Sequence, residues 1–106
     1  MHEIKINGRK VMCRQIDGKE YRFVTEHDRS YWVSRDGCVL CGRSLRPAKI
    51  VYNHAGYELA GHCRVHRLVA LVWVEGWFDG AEVNHVDYNR TNNKADNLAW
   101  VSHRDN

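Results

Sequence analysis

Val83-Asn84-His85-Val86-Asp87-Tyr88-Asn89, then Asn92-Asn93, then Asn97-Leu98-Ala99-Trp100-Val101 is the stretch on which the reading of this chain turns. Residues 82–86 read as a short strand, 87–97 as a polar loop and 98–101 as a returning strand. Ser102-His103-Arg104-Asp105 follows with the form of a capping box, a hydroxyl at the N-cap and a carboxylate three residues on. The order strand, loop, strand, helix start places His85 on the first strand and Asn106 in the first turn of a helix. A helix of so few residues cannot sustain itself, because its nucleus is costly. It is therefore expected to be truncated, or completed by a partner.

In a regular strand Asn84 and His85 point to opposite faces. For both to serve one site the strand must bulge or end there. Imidazole titrates near neutral pH and can accept a proton from water. As an exposed base, His85 would contribute little packing. Asparagine carbonyls are hard oxygen donors suited to Mg²⁺, which keeps several waters and takes few protein ligands. Asn89, Asn92 and Asn93 read as turn chemistry, and Asp87 as a brace for the loop.

Upstream of this stretch the apolar period is helical. Val65, Leu68, Val69, Val72 and Trp73 fall at i, i+3, i+4, i+7 and i+8. Before them the chain reads as hairpins. Residues 11–16 and 21–24 flank Asp17-Gly18, and Tyr31-Trp32-Val33-Ser34 and Cys38-Val39-Leu40-Cys41 flank Asp36-Gly37. A third hairpin joins Ile50-Val51-Tyr52 to Tyr57-Glu58-Leu59. The N-terminal half is thus expected to be one small antiparallel sheet. Trp73, Trp77 and Trp100 are expected in the core rather than as platforms for bases.

With 106 residues and 43% hydrophobic content the chain supports one compact domain and is not a disordered tail. Its single Pro and dispersed Gly leave no linker. The longest apolar run, residues 68–74, is too short for a membrane span. The start Met1-His2-Glu3-Ile4-Lys5 has no apolar stretch of a signal peptide, so a cytoplasmic location is expected. A net charge of +3 is mild, and many proteins without a nucleic-acid role carry it. Its distribution says more. Arg43, Arg46 and Lys49 cluster in one segment, while Arg64, Arg67, Arg90, Lys94 and Arg104 surround the histidine region. Base, oxygen donors and a basic surface are together what phosphodiester hydrolysis requires.

The run from His66-Arg67-Leu68-Val69-Ala70 through Val83-Asn84-His85-Val86-Asp87 to Asn92-Asn93, Asn97-Leu98, Trp100-Val101 and Asn106 resembles the HNH endonucleases, in particular the phage and intron-encoded homing type. Tyr31-Trp32-Val33-Ser34-Arg35-Asp36-Gly37-Cys38-Val39 resembles the short nuclease-associated module that precedes the HNH domain there. Residues 28–106 carry the resemblance, and residues 1–27 do not.

The resemblance implies an α+β fold: a small N-terminal antiparallel sheet and a ββα-metal motif, linked by one helix. The nuclease-associated module would span residues 28–64 and the HNH motif 65–106, within a single domain of residues 1–106. His85 would be the general base and Asn97 would hold the loop that orients it. Asn84 and Asn106 would bind the metal, Mg²⁺ or Mn²⁺. Several relatives have Asp where Asn84 stands, so this site lacks one negative charge. Arg67, Arg90 and Lys94 are candidates for holding double-stranded DNA. The expected activity is metal-dependent endonucleolytic hydrolysis, with a single-strand nick as its unit. A phage-encoded enzyme would act in the host cytoplasm. The rival reading is a nuclease-derived module that binds DNA or protein without cutting.

The cysteines offer a second constellation. Cys38-x₂-Cys41-Gly42 resembles a zinc knuckle, and Cys63-x₂-His66 would complete a structural zinc site. Against it, an apparent strand would point Cys38 and Cys41 apart, and reduced, half-buried thiols are the default reading.

Overall fold

The computed structural model describes residues 1–105. Asn106, the expected second metal ligand, lies outside the described residues. The chain opens with a five-stranded antiparallel meander: β1 (His2–Ile6), β2 (Arg9–Ile16), β3 (Lys19–Glu26), β4 (Arg29–Ser34) and β5 (Val39–Cys41). Its first three connections are two-residue turns, Asn7-Gly8, Asp17-Gly18 and His27-Asp28, with every turn residue at positive φ. That turn geometry matches the right-handed twist of the flanking strands, which is why Asn, Asp and Gly occupy it.

The expectation of one N-terminal sheet is corrected here. Strands β6 (Ile50–Tyr52), β7 (Glu58–Ala60) and β8 (Cys63–Arg64) form a separate three-stranded sheet. The meander ends at β5 because Gly42 to Ala48 folds back along its edge. Cys41 N–H donates to Arg46 O, and Ala48 N–H donates to Val39 O. The closest approach is at Gly42, where a Cβ would lie 2.7 Å from Ser30 O. Strand β1, not expected from the sequence reading, lengthens the sheet by a complete strand.

Helix α1 (Val65–Trp73) buries Val65, Leu68, Val69 and Val72 of the stripe that its period picked out, and half-buries the fifth, Trp73. It contacts β3 and β4 of the meander, β7 and β8 of the second sheet, and the hairpin of β9 (Glu82–His85) and β10 (Leu98–Val101). One buried cluster consequently runs from Ile6 and Val11 through Val33 and Leu68 to Leu98 and Trp100. Trp100 is in it, with its indole N–H donating to Val74 O at 2.9 Å. Trp73 packs against it and donates to Val33 O at 2.9 Å. Ser102 caps a single 3₁₀ turn, His103–Asp105: its hydroxyl meets Asp105 Oδ2 at 2.7 Å, and Asp105 N–H donates back to it at 3.3 Å. No helix among the described residues is long and apolar enough to cross a membrane.

Asn7 fastens the first turn to the exit of α1. Its amide nitrogen donates to Val74 O at 2.9 Å, and its amide oxygen accepts from Gly76 N–H and Trp77 N–H. These bonds satisfy backbone groups in the irregular segment that carries the chain from α1 to β9.

Candidate active site

Strand β9 ends at His85, and this ending brings two adjacent residues to one cleft. In register, Leu98 pairs with His85 and Ala99 with Asn84. Beyond His85 the ladder gives way to the loop, held by Val86 N–H donating to Asn97 O at 2.8 Å. Asn84 and His85 both line a cleft of about 340 Å³ with Tyr57, Val83, Tyr88 and Arg90. His85 is only 5% exposed. It is thus a buried ring that reaches a cleft, not the exposed base expected from sequence.

The loop between β9 and β10 is organised by Asp87 and Asn97. Asn97 Nδ2 donates to Asp87 Oδ1 and to Asn92 O, each at 2.9 Å. Asn97 Oδ1 accepts from Asp87 N–H at 3.1 Å. Asp87 also accepts from Asn92 Nδ2 and from Asn89 N–H, each at 2.8 Å. The Asn92 amide, then the Asn89 backbone and the Asn97 amide, hold the Asp87 carboxyl below its ordinary range. Asp87 therefore spends both oxygens on the loop, as a brace would.

Around His85 the packing is aromatic on one side and polar on the other. The His66 ring lies 4.8 Å from the His85 ring centroid to centroid, and Tyr57 stacks on His66 at 5.1 Å. Burial, reinforced by His85, Arg64 and Arg67, pushes His66 down to about 3, so its ring is neutral at physiological pH. On the polar side His85 Nε2 meets Asn93 Oδ1 at 2.7 Å, and Asn93 Nδ2 donates to Glu58 Oε1 at 2.9 Å. Asn93 is itself 4% exposed, which corrects its reading as loop chemistry. Glu58 comes from β7, 35 positions earlier, so no local pattern could have announced it.

Arginines flank the cleft. The Arg64 and Arg90 guanidinium groups lie over the Tyr57 ring at 4.9 and 5.0 Å. On the other side of Tyr57 and Val83 a second hollow, about 310 Å³, is lined by Arg64, His66 and Arg67. Arg67 also pairs with Glu26 Oε1 at 3.3 Å, which offsets part of its charge. Lys94 lines a different hollow with Lys19, Arg35 and Trp73, and does not line the His85 cleft. Tyr57 was not singled out as a site residue in the sequence, and Arg64 only as one of five basic residues around the histidine region. An aromatic flanked by one basic residue from a strand and another from a distant loop leaves no contiguous signal.

The expected zinc ligands disperse. Cys38 is exposed and receives Lys19 Nζ at 3.5 Å, whereas buried Cys63 donates to Glu26 O at 3.4 Å. His66 stacks on Tyr57 and packs beside His85, the three rings forming a triangle. Among the described residues the one group of three or more metal-competent side chains is His2, Cys13 and Glu20, whose ligand atoms lie within 4.8 Å of one another. Cys38, Cys41, Cys63 and His66 therefore do not form a zinc centre. The strand geometry of β5 holds Cys41, while Cys38 precedes the strand in the turn.

No family model matches the chain. It is similar to the DNA endonuclease I-HmuI of Bacillus phage SP01, 33% identical over 82% of this chain and 55% of that protein. The SPbeta prophage-derived protein YosQ of Bacillus subtilis (strain 168), named as an HNH homing endonuclease, is 31% identical over 72% of this chain and 49% of its own length. A protein of Acanthamoeba polyphaga mimivirus named as the HNH endonuclease L245 is 30% identical over 76% of this chain and 27% of its length. The chain thus spans about half, or less, of the curated relatives it matches. A solved structure of I-HmuI, described as DNA binding and cleavage by that HNH homing endonuclease, superposes with a TM-score of 0.62. It is 35% identical, over 70% of this chain and 47% of that one. By this agreement of sequence and structure, the chain belongs to the HNH family of homing endonucleases.

Proposed function

We propose that this chain carries the cutting centre of a metal-assisted DNA endonuclease, with hairpin β9–β10 and the turn after Ser102 as its ββα-metal motif. The observation that carries the reading is the placement of His85. It sits at a strand end, almost wholly buried, yet opens onto a cleft shared with Asn84 and flanked by Arg90. A base held in a dry wall and facing a wet cleft can take a proton from a water without first being desolvated.

In this reading His85 accepts the proton of a water whose oxygen bonds to phosphorus in line with the departing 3′ oxygen. The P–O3′ bond breaks, leaving a 5′ phosphate, a 3′ hydroxyl whose oxygen takes a proton from solvent, and a nicked strand. Asn97 holds the loop behind His85 through its bonds to Asp87 and Asn92. Arg90 and Arg67, together with Arg64, hold the phosphate backbone, and Lys94 contacts it further along. The donor chemistry fits a hard divalent ion: Asn84 offers an amide oxygen at the cleft, and Asn106 is the second candidate ligand. Bound there, Mg²⁺ or Mn²⁺ would supply charge stabilisation for the phosphorane and the departing oxygen.

Asn84 also favours a second reading, in which the module retains DNA without cutting, because an amide offers the ion no negative charge. Incubation with supercoiled double-stranded plasmid, in Mg²⁺ or in chelator, separates the two. Metal-dependent conversion to open circle supports the first. Retention of plasmid with no open circle in Mg²⁺ or Mn²⁺ supports the second.

A further inference from the structure

We infer that Glu58 and Asn93 are positioning residues that fix the tautomer of His85, so that Nδ1 is the nitrogen that takes the proton. This inference rests on His85 being the base of the proposed reaction. Glu58 sets the orientation of the Asn93 amide. An ionised carboxylate only accepts hydrogen bonds, so the Asn93 amide must turn its NH₂ toward Glu58 Oε1, 2.9 Å away. The amide oxygen then faces His85 Nε2 at 2.7 Å. An amide oxygen only accepts, so Nε2 must carry a hydrogen whenever the ring is neutral. The remaining lone pair is on Nδ1.

The His85–Asn93 link is buried and the Asn93–Glu58 link partly so. His85 and Asn93 are buried, and Glu58 is half-buried with its Oε2 accepting from Tyr52 OH at 3.4 Å. Without Glu58 the Asn93 amide is free to turn over and offer its NH₂ to Nε2. Nε2 would then use its lone pair as an acceptor and Nδ1 would carry the hydrogen, leaving no base. A carboxylate on β7 thereby selects which nitrogen of a histidine on β9 can act, with the buried amide between them. The logic is that of a carboxylate orienting a catalytic imidazole, with one amide interposed.

The test reads the tautomer directly. The ¹⁵N spectrum of the His85 ring is recorded without DNA or metal, at a pH where the ring is neutral, for the parent, Glu58→Ala and Glu58→Gln. The parent should show a pyridine-like Nδ1 and a pyrrole-like Nε2. Glu58→Ala should mix the two forms, while Glu58→Gln, which still offers an acceptor oxygen, should retain most of the bias. In plasmid nicking, Glu58→Ala should lower kcat about 10–100-fold, the usual effect of losing an orienting partner, with KM little changed. A pyridine-like Nε2 in the parent overturns the inference, whether or not any variant folds. So does a folded Glu58→Ala with the parent's ¹⁵N shifts. If the spectra come out as expected but Glu58→Ala cuts at the parental rate, the tautomer assignment stands. In that case His85 as the base, and with it the proposed reaction, fails.

Discussion

Lowering the pH from 7 to 4 should destabilise this protein through His66, and His66→Phe should remove most of that loss. His66 is 6% exposed and its pKa is pushed from 6.5 to about 3, chiefly by burial. Between those two values the unfolded chain binds a proton that the folded protein refuses. Stability therefore rises with pH across this window and falls as pH drops below 6.5. Each unit of pKa difference is worth about 1.4 kcal/mol, so the loss reaches about 3 kcal/mol at pH 4 and about 5 kcal/mol once both states are protonated. A domain of this size has roughly 5–15 kcal/mol in total, so the effect is large. Urea denaturation at several pH values, for the parent and for His66→Phe, measures it. Phenylalanine keeps an aromatic ring against both Tyr57 and His85 and cannot titrate. The carboxyl groups of Asp36, held down first by the Ser34 hydroxyl, and of Asp87 titrate below their ordinary range, so they do not mimic the loss above pH 4. Parallel stability curves for the two proteins between pH 6.5 and 4 would refute the reasoning.

Other expectations follow from single contacts. Asn7→Gly should cost about 2–4 kcal/mol in denaturation, since three hydrogen bonds are lost at about 0.5–1.5 kcal/mol each. Asn7→Ala should cost about 1 kcal/mol more, because φ at this turn is +52°; equal stability of both variants and the parent contradicts the clasp. Arg90→Ala should weaken DNA binding across sequences and reduce the salt slope by about one phosphate, out of about three to five for the parent; binding constants that ignore salt would contradict phosphate contacts. Purified protein should hold no stoichiometric zinc at the cysteines, so Cys41→Ser should leave metal content and Tm unchanged, and a loss of zinc on that substitution would restore the abandoned site.

What the sequence made legible was local, and what it concealed was assembled from distant parts. Asp17-Gly18 marks its hairpin because its backbone conformation is costly for most other residues, and the 65–73 stripe marks α1 because a helix needs one apolar face. Strand β9, the loop and β10 were legible for the same reason. Strand β1 was missed although its signal is present: Glu3-Ile4-Lys5-Ile6 alternates and Asn7-Gly8 is a strong hairpin turn, while the Asn7 clasp to residues 70 positions away leaves no trace in sequence. The division into two sheets was concealed because each hairpin reads alike whether or not it joins its neighbour. At the candidate site, His85, Asn84 and Asn97 stand out by spacing. Asn93 looks like any loop asparagine until Glu58 arrives from β7. Arg67 likewise appears as a free cation in sequence, although Glu26 pairs with it.

The most direct test of the central claim compares the parent with His85→Gln on supercoiled plasmid in Mg²⁺. Glutamine is preferred to alanine because His85 is buried, and its amide can still donate to Asn93 while being unable to take a proton. Nicking should fall by about 10²–10⁴, the usual loss on removing a general base, while plasmid retention and thermal stability stay close to the parent's. A His85→Gln protein that nicks at the parental rate would contradict the account.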